Sequence, residues 1–148
     1  MDFKTFDKTN LPEEQQKNEI VAFLYGHLDE FGDPIADIEK AVDYALHIGE
    51  SFGGYVVRLT ENEKVIGAVV VNRTGMKGYI PENILVYIAI HRDYRGKGIG
   101  KGLMQEAMKQ AKGDIALHVE PENPAKYLYE KLGFTNKYLE MRYKQTTA

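Results

Sequence analysis

Ile84-Leu85-Val86-Tyr87-Ile88-Ala89-Ile90, followed by His91-Arg92-Asp93-Tyr94-Arg95-Gly96-Lys97-Gly98-Ile99-Gly100-Lys101-Gly102-Leu103, decides the fold of this 148-residue chain. Ile84 to Ile90 is almost wholly apolar, the pattern of a central strand covered on both faces. Leu103, Ala107, Met108 and Ala111 keep helical spacing, so a helix follows. Arg95 to Gly100 is a glycine-rich turn between the two. A strand, such a turn and a helix start together make an anion site. Several backbone N–H groups converge there, the helix dipole adds partial positive charge, and glycine lets the main chain approach its guest without a Cβ in the way. The guest that this arrangement suits is a pyrophosphate.

Outward from that stretch, the remaining elements follow from pattern and punctuation. Phe3–Phe6 reads as a short strand. Pro12-Glu13-Glu14 opens a helix whose apolar stripe is Ile20, Phe23, Leu24 and Leu28. Asp33-Pro34 restarts the chain, and Ile35, Ile38, Ala41, Val42, Ala45 and Leu46 form a second stripe. Gly49 and Gly53-Gly54 end it. Tyr55–Thr60 and Val65–Val71 read as a hairpin around residues 61–64. Residues 73–82 are a loop. Ile115–Val119 is a further strand, Pro124–Leu132 a helix closed by Gly133, and Tyr138–Tyr143 a last strand. The order predicts a mixed α/β (α+β) sheet with helices on both faces. The unit from 84 to 119 is expected to be a right-handed parallel crossover. Residues 1–148 are expected to form one domain.

The bulk properties exclude several classes. Hydrophobic residues at 43% and charged residues at 28% are those of a globular protein. There is no cysteine, hence no disulfide, thiolate metal site or cysteine nucleophile, which fits a reducing cytoplasm. Met1-Asp2-Phe3-Lys4 does not open a signal peptide, and no apolar run approaches the roughly 20 residues of a membrane span. The net charge of −3 is unevenly spread. Residues 1–90 hold 8 basic and 15 acidic side chains, whereas residues 91–112 hold 6 and 2. The basic block coincides with the glycine turn, where Arg92, Arg95, Lys97 and Lys101 can attract phosphates. With net acidity and no broad basic stripe, nucleic acid is not an expected partner.

Counting separates the glycine turn from two better-known phosphate loops. A P-loop ending at Gly100-Lys101 needs glycine at 95 and a hydroxyl at 102, where the chain has Arg95 and Gly102. A dinucleotide fingerprint needs glycine at 101 or 103, where it has Lys101 and Leu103. The pattern that fits is Arg/Gln-x-x-Gly-x-Gly/Ala. Here the chain resembles the GCN5-related N-acetyltransferase (GNAT) family, whose acetyl-CoA pyrophosphate loop is similar to Tyr94–Gly100. A second match, Asn123-Pro124-Ala125-Lys126-Tyr127-Leu128-Tyr129-Glu130-Lys131-Leu132-Gly133-Phe134, resembles that family's Asn-x-x-Ala-x-x-Leu-Tyr-x-x-x-Gly-Phe segment. The specific resemblance covers about Ile84 to Phe134.

The resemblance implies a GNAT-like fold. Its sheet is mostly antiparallel, with one parallel pair, strands 84–90 and 115–119, that splays to admit the cofactor's pantetheine arm. It implies acetyl-CoA as acetyl donor, no metal, and direct attack on the thioester by a primary amine of a small molecule or peptide. A homodimer is among the assemblies it suggests. An alkyl ammonium is mostly protonated at pH 7, so a proton must be removed, an oxyanion stabilised by a donor, and the leaving thiolate given a proton. Tyr129 matches the family tyrosine and is the candidate donor; the rival role is a core aromatic on the face of Ala125, Leu128 and Leu132. The family's strand glutamate falls at about Val86, a departure. Glu82 acting through water is the candidate base, with Glu120, His118 or water alone as alternatives. Backbone groups of Ile88, Ala89 and Ile90 are expected to pair with the pantetheine amides. N–H groups of Arg95, Gly96, Lys97, Gly98, Ile99, Gly100 and Lys101 are expected to hold the pyrophosphate. Asn123 is expected at the arm or the phosphates, with Glu122 competing and helix capping an equally good role. An acidic segment, Asp29 to Glu50, favours a cationic acceptor or is an ordinary solvated face; Tyr79, Ile80 and Pro81 offer an apolar pocket instead. A non-catalytic acyl-CoA-binding module is the alternative to an enzyme.

Overall fold

The computed structural model describes residues 1–146, which divide into two compact units, Met1–Leu117 and the residues from His118 onward. In the first unit the elements are β1 (Asp2–Phe6), α1 (Glu14–His27), a 3₁₀ turn at Asp29–Phe31, α2 (Ile35–Ala45), β2 (Gly54–Glu61), β3 (Lys64–Arg73), β4 (Asn83–Ile90), a 3₁₀ turn at Arg92–Tyr94, α3 (Ile99–Gln110) and β5 (Ile115–Leu117). The five strands lie in chain order in one sheet. Every neighbouring pair is antiparallel except β4 and β5, which are parallel. This is the mixed sheet with one parallel pair that the sequence predicts.

Alternation assigns the two faces. Val56, Ala68, Val70, Tyr87 and Ala89 point to one side and pack with Ile20, Phe23 and Leu24 of α1 and Ile38, Val42 and Ala45 of α2. The intervening residues serve the other side, where Gly67 lies under Leu103 of α3 and Ile90. Fully burying one such aliphatic side chain is worth about 1.5–3 kcal/mol. Helix α1 opens with a capping box in which the Glu13 N–H donates to Gln16 Oε1 at 2.9 Å. Lys17 bonds Asp43 at 2.9 Å, joining α1 to α2. On the opposite face, buried Tyr55 donates its hydroxyl to the carbonyl of Ala107 at 2.5 Å. That carbonyl lacks its helical partner, because the Ala111 N–H bonds Met108 instead.

The strand predicted at 115–119 stops at Leu117, because its ladder with β4 has only three rows. The second unit contains α4 (Ala125–Lys131), closed by Gly133 at φ 102. The Gly133 N–H donates to Glu130 O at 3.1 Å and the Phe134 N–H to Tyr129 O at 3.0 Å, a Schellman closure. The strand predicted at Tyr138–Tyr143 does not form. Tyr138, Leu139, Met141 and Tyr143 are 79–91% exposed, and a lone extended segment without a ladder has no hydrogen-bonded reason to persist.

Candidate functional site

Strand β4 is where the sheet opens. Its rows with β5 are Asn83↔Ile115, Ile84↔Ala116 and Leu85↔Leu117, and then pairing ends. The same strand carries a bulge there: Val70 opposes Tyr87 and Val71 opposes Leu85, which leaves Val86 as the extra residue. A bulge bends its strand and increases the local twist. Past it, β4 runs on to Ile90. The His91 N–H donates to Ile66 O at 2.8 Å, so in the antiparallel ladder Ala89 and Tyr87 bond β3 while Ile88 and Ile90 turn their amides and carbonyls outward. The Ile90 carbonyl shows this directly, since it accepts from Arg95 Nε at 3.1 Å. An outward-facing row of this kind is a template for an extended guest that carries amides of its own.

The glycine turn follows. His91 Nδ1 accepts from the Asp93 N–H at 3.1 Å and steadies the 3₁₀ turn. Gly96 and Gly98 both adopt φ 78, a left-handed conformation, and Gly98 is the N-cap of α3. A Cβ added at either would meet nothing within 4 Å, so backbone conformation and not crowding by the protein calls for glycine. The first bond of α3 runs from the Gly102 N–H to Gly98 O at 3.3 Å. Among the described residues, nothing accepts from the N–H groups of Gly96 through Lys101. Their convergence at the positive end of a helix dipole suits a diphosphate, and the bare glycines leave it room.

Arg95 has a different occupation from the one expected. Its own N–H bonds Arg92 O at 3.4 Å, and its guanidinium reaches Asp29 Oδ2 at 2.9 Å and His27 O at 2.8 Å. Arg92 reaches Asp29 Oδ1 at 2.6 Å and Gly26 O at 2.5 Å. Arg95 and then Arg92 hold the Asp29 carboxyl below the usual carboxylate range. Lys97 places its Nζ 5.4 Å and Lys64 5.9 Å from the Tyr94 ring centre, and Lys101 is exposed. Beside this knot His27 stacks on His91 at 4.4 Å, and burial first, then His91, pushes the His27 pKa down.

Glu82 is also committed elsewhere. Its Oε1 accepts from the Asp114 N–H at 2.8 Å and its Oε2 from the Gly78 N–H at 2.9 Å. These donors, Asp114 first, hold its pKa down, so it is a weaker base than a free carboxylate. It ties the 74–82 loop to the start of β5, at the end of β4 remote from the glycine turn. Strand β4 itself carries no carboxylate. A contact with no local sequence signal joins Tyr87 to Asp33, hydroxyl to Oδ2 at 2.5 Å, and burial first, then Asp33, raises the Tyr87 pKa.

In the second unit Asn123 shows the capping role: its Oδ1 accepts from the Ala125 N–H at 2.9 Å at the head of α4. Glu122 beside it is exposed, as are His118 and Glu120. Tyr129 is buried, with its ring 6.1 Å from Phe134 across the helix closure. Burial raises its pKa, so the phenol keeps its proton at neutral pH.

Known proteins resemble this chain. A family model described as an acetyltransferase (GNAT) domain matches residues 52–136. N-alpha-acetyltransferase 30 of Schizosaccharomyces pombe is 33% identical over 79 residues, 50% of this chain and 53% of that protein. [Ribosomal protein bS18]-alanine N-acetyltransferase of Haemophilus influenzae is 32% identical over 91 residues, 59% of each. The matches thus span little more than half the length of these relatives. Two solved structures share the fold over nearly the whole chain. A ribosomal-protein-alanine N-acetyltransferase from Brucella melitensis has a TM-score of 0.66 at 16% identity, covering 99% of this chain and all of that one. An aminoglycoside 6'-N-acetyltransferase from Acinetobacter haemolyticus has 0.69 at 13%, covering all of both.

Proposed function

The chain belongs to the GNAT acetyltransferase family, and from that premise we propose that it is an acetyl-CoA-dependent N-acetyltransferase acting on a primary amine of a peptide or small molecule. The observation that carries this is the outward row of Ile88 and Ile90 leading into six N–H groups without a partner at Gly96–Lys101. Acetyl-CoA supplies an acetyl thioester. Ile88 and Ile90 would pair with its pantetheine amides, and Gly96 to Lys101 would hold its diphosphate. Tyr129, matched by motif and keeping its proton at neutral pH, would donate to the departing sulfur as the amine nitrogen takes the acetyl carbon. The family match at 52–136 runs across the boundary between the two units, which supports one acetyltransferase domain. A cytoplasmic location is part of the same proposal and fits the cysteine-free sequence.

The acceptor follows from the base that β4 lacks. A peptide α-amine has a pKa of about 7.7–8.0 and is roughly a tenth neutral at pH 7, whereas a lysine near 10.4 is some hundreds of times less so. With Glu82 weakened as a base, water suffices for an α-amine and not for an alkyl ammonium. Both sequence relatives named above are N-acetyltransferases, one of ribosomal-protein alanine, so alanine-initiated peptides are the first acceptors to try. The same lack of a carboxylate favours a second reading, a non-catalytic acyl-CoA binder. Thiol release from acetyl-CoA over a panel of peptides, polyamines, aminoglycosides and amino acids separates them. Turnover with any amine supports the enzyme; tight acetyl-CoA binding with no release across the panel supports the binder.

A further inference from the structure

We infer that Asp29 is the positioning residue of the glycine turn: its carboxylate and the last carbonyls of α1 hold Arg92 and Arg95, and so set the main chain from Gly96 to Gly100 before a diphosphate arrives. This rests on the acetyl-CoA reading above. Each Asp29 oxygen serves a different arginine, Oδ1 for Arg92 and Oδ2 for Arg95. The same two guanidinia satisfy Gly26 O and His27 O, carbonyls at the end of α1 that have no helical partner. Arg95 Nε closes the knot on Ile90 O, the last residue of β4. One exposed ion pair fixes little, but forked guanidinium contacts to a carboxylate and to carbonyls fix direction as well as distance.

The position of the turn depends on this knot because the turn has no internal bonds of its own. The N–H groups from Gly96 to Lys101 have no acceptor among the described residues, so the segment is held only at its two ends. Helix α3 anchors one end, and Arg92 and Arg95 anchor the other. Asp29 takes φ 55, a left-handed conformation that few residues other than glycine adopt, so the carboxylate is presented at some conformational cost. Without the anchor, ordering of the turn would be deferred to the moment of binding and subtracted from affinity.

Asp29→Asn and Asp29→Gly test this. Asparagine tolerates φ near 55 while losing the charge, and glycine adopts it freely, so neither variant is strained at the backbone. Titrations use CoA and S-acetylpantetheine, which lacks the diphosphate. In both variants CoA should bind about tenfold more weakly, S-acetylpantetheine within about twofold of wild type, and backbone NMR order parameters at Gly96–Gly100 of the ligand-free protein should fall. CoA affinity unchanged in both variants overturns the assignment. So do equal losses for the two ligands, which would mark general damage. A wild-type protein that binds neither ligand overturns the acetyl-CoA reading itself, and the role of Asp29 with it.

Discussion

Gly98→Ala and Gly102→Ala make the same chemical change four residues apart, and the structure assigns them opposite consequences. Gly98 sits at φ 78 as the N-cap of α3, while Gly102 lies within that helix. Neither Cβ would touch protein within 4 Å, so packing cancels from the comparison and only backbone conformation remains. Alanine in the left-handed region costs about 1–2 kcal/mol. Alanine in place of glycine inside a helix gains about 0.5–1 kcal/mol. For a chain of this length that corresponds to a melting temperature lower by about 2–8 °C for Gly98→Ala and higher by about 1–4 °C for Gly102→Ala. The Gly98 methyl would also stand where the free amides converge, so CoA affinity should fall at least about tenfold beyond any loss of stability. Gly98→Asn separates the causes, since asparagine recovers the left-handed backbone but keeps a Cβ in the way. Thermal unfolding with parallel calorimetric titration of CoA reads both quantities. Melting shifts of the same sign for the two alanines, or wild-type CoA affinity in Gly98→Ala, would refute the reasoning.

Further outcomes follow from the proposed chemistry and from the packing. Tyr129→Phe should lower kcat at least about a hundredfold while CoA affinity stays within about twofold; an unchanged turnover rate would remove the phenol from the mechanism. Tyr55→Phe should cost about 1–2 kcal/mol in denaturant unfolding, because the buried Ala107 carbonyl loses its only hydroxyl donor. Burial pushes the Tyr55 phenol up to about 12, so the folded state holds that proton more tightly than the unfolded one. Its stabilising contribution is therefore complete below pH about 10 and lost as pH rises from 10 towards 12, with a phenolate absorbance that lags behind that of the exposed tyrosines. Gly54→Ala should destabilise by about 2–3 kcal/mol or more, since the new Cβ would stand 2.0 Å from the Val71 carbonyl oxygen on the paired strand. Full retention of the melting temperature would contradict the β2–β3 register.

Much of the fold was legible because its signals are local. The apolar run at 84–90, the helical stripe after it and the glycines between them need only the chain's own periodicity and the φ range of glycine. Gly133-Phe134 likewise reads as a helix end, and the structure closes α4 there through Tyr129 and Glu130. Boundaries set by pairing were less legible. Nothing in Val86 announces a bulge, and nothing in Val119 says that the ladder ends at Leu117, because both depend on how β4 meets β3 and β5. Tyr138–Tyr143 has the alternation of a strand, yet alternation supplies no partner.

The sequence by itself therefore determined the order of elements through α4, the mixed sheet and the location of the glycine turn. Tertiary structure decided which charges serve that turn. Arg92 and Arg95 look like phosphate ligands in the sequence, but Asp29, 63 and 66 residues away, takes both. Glu82 looks like a base, but amides on Gly78 and on Asp114, 32 residues on, occupy its oxygens. Periodicity and turn chemistry act over a few residues and survive in a linear reading. A flexible charged side chain finds its partner only when the fold brings distant segments within about 3 Å, and its partner settles what it is free to do.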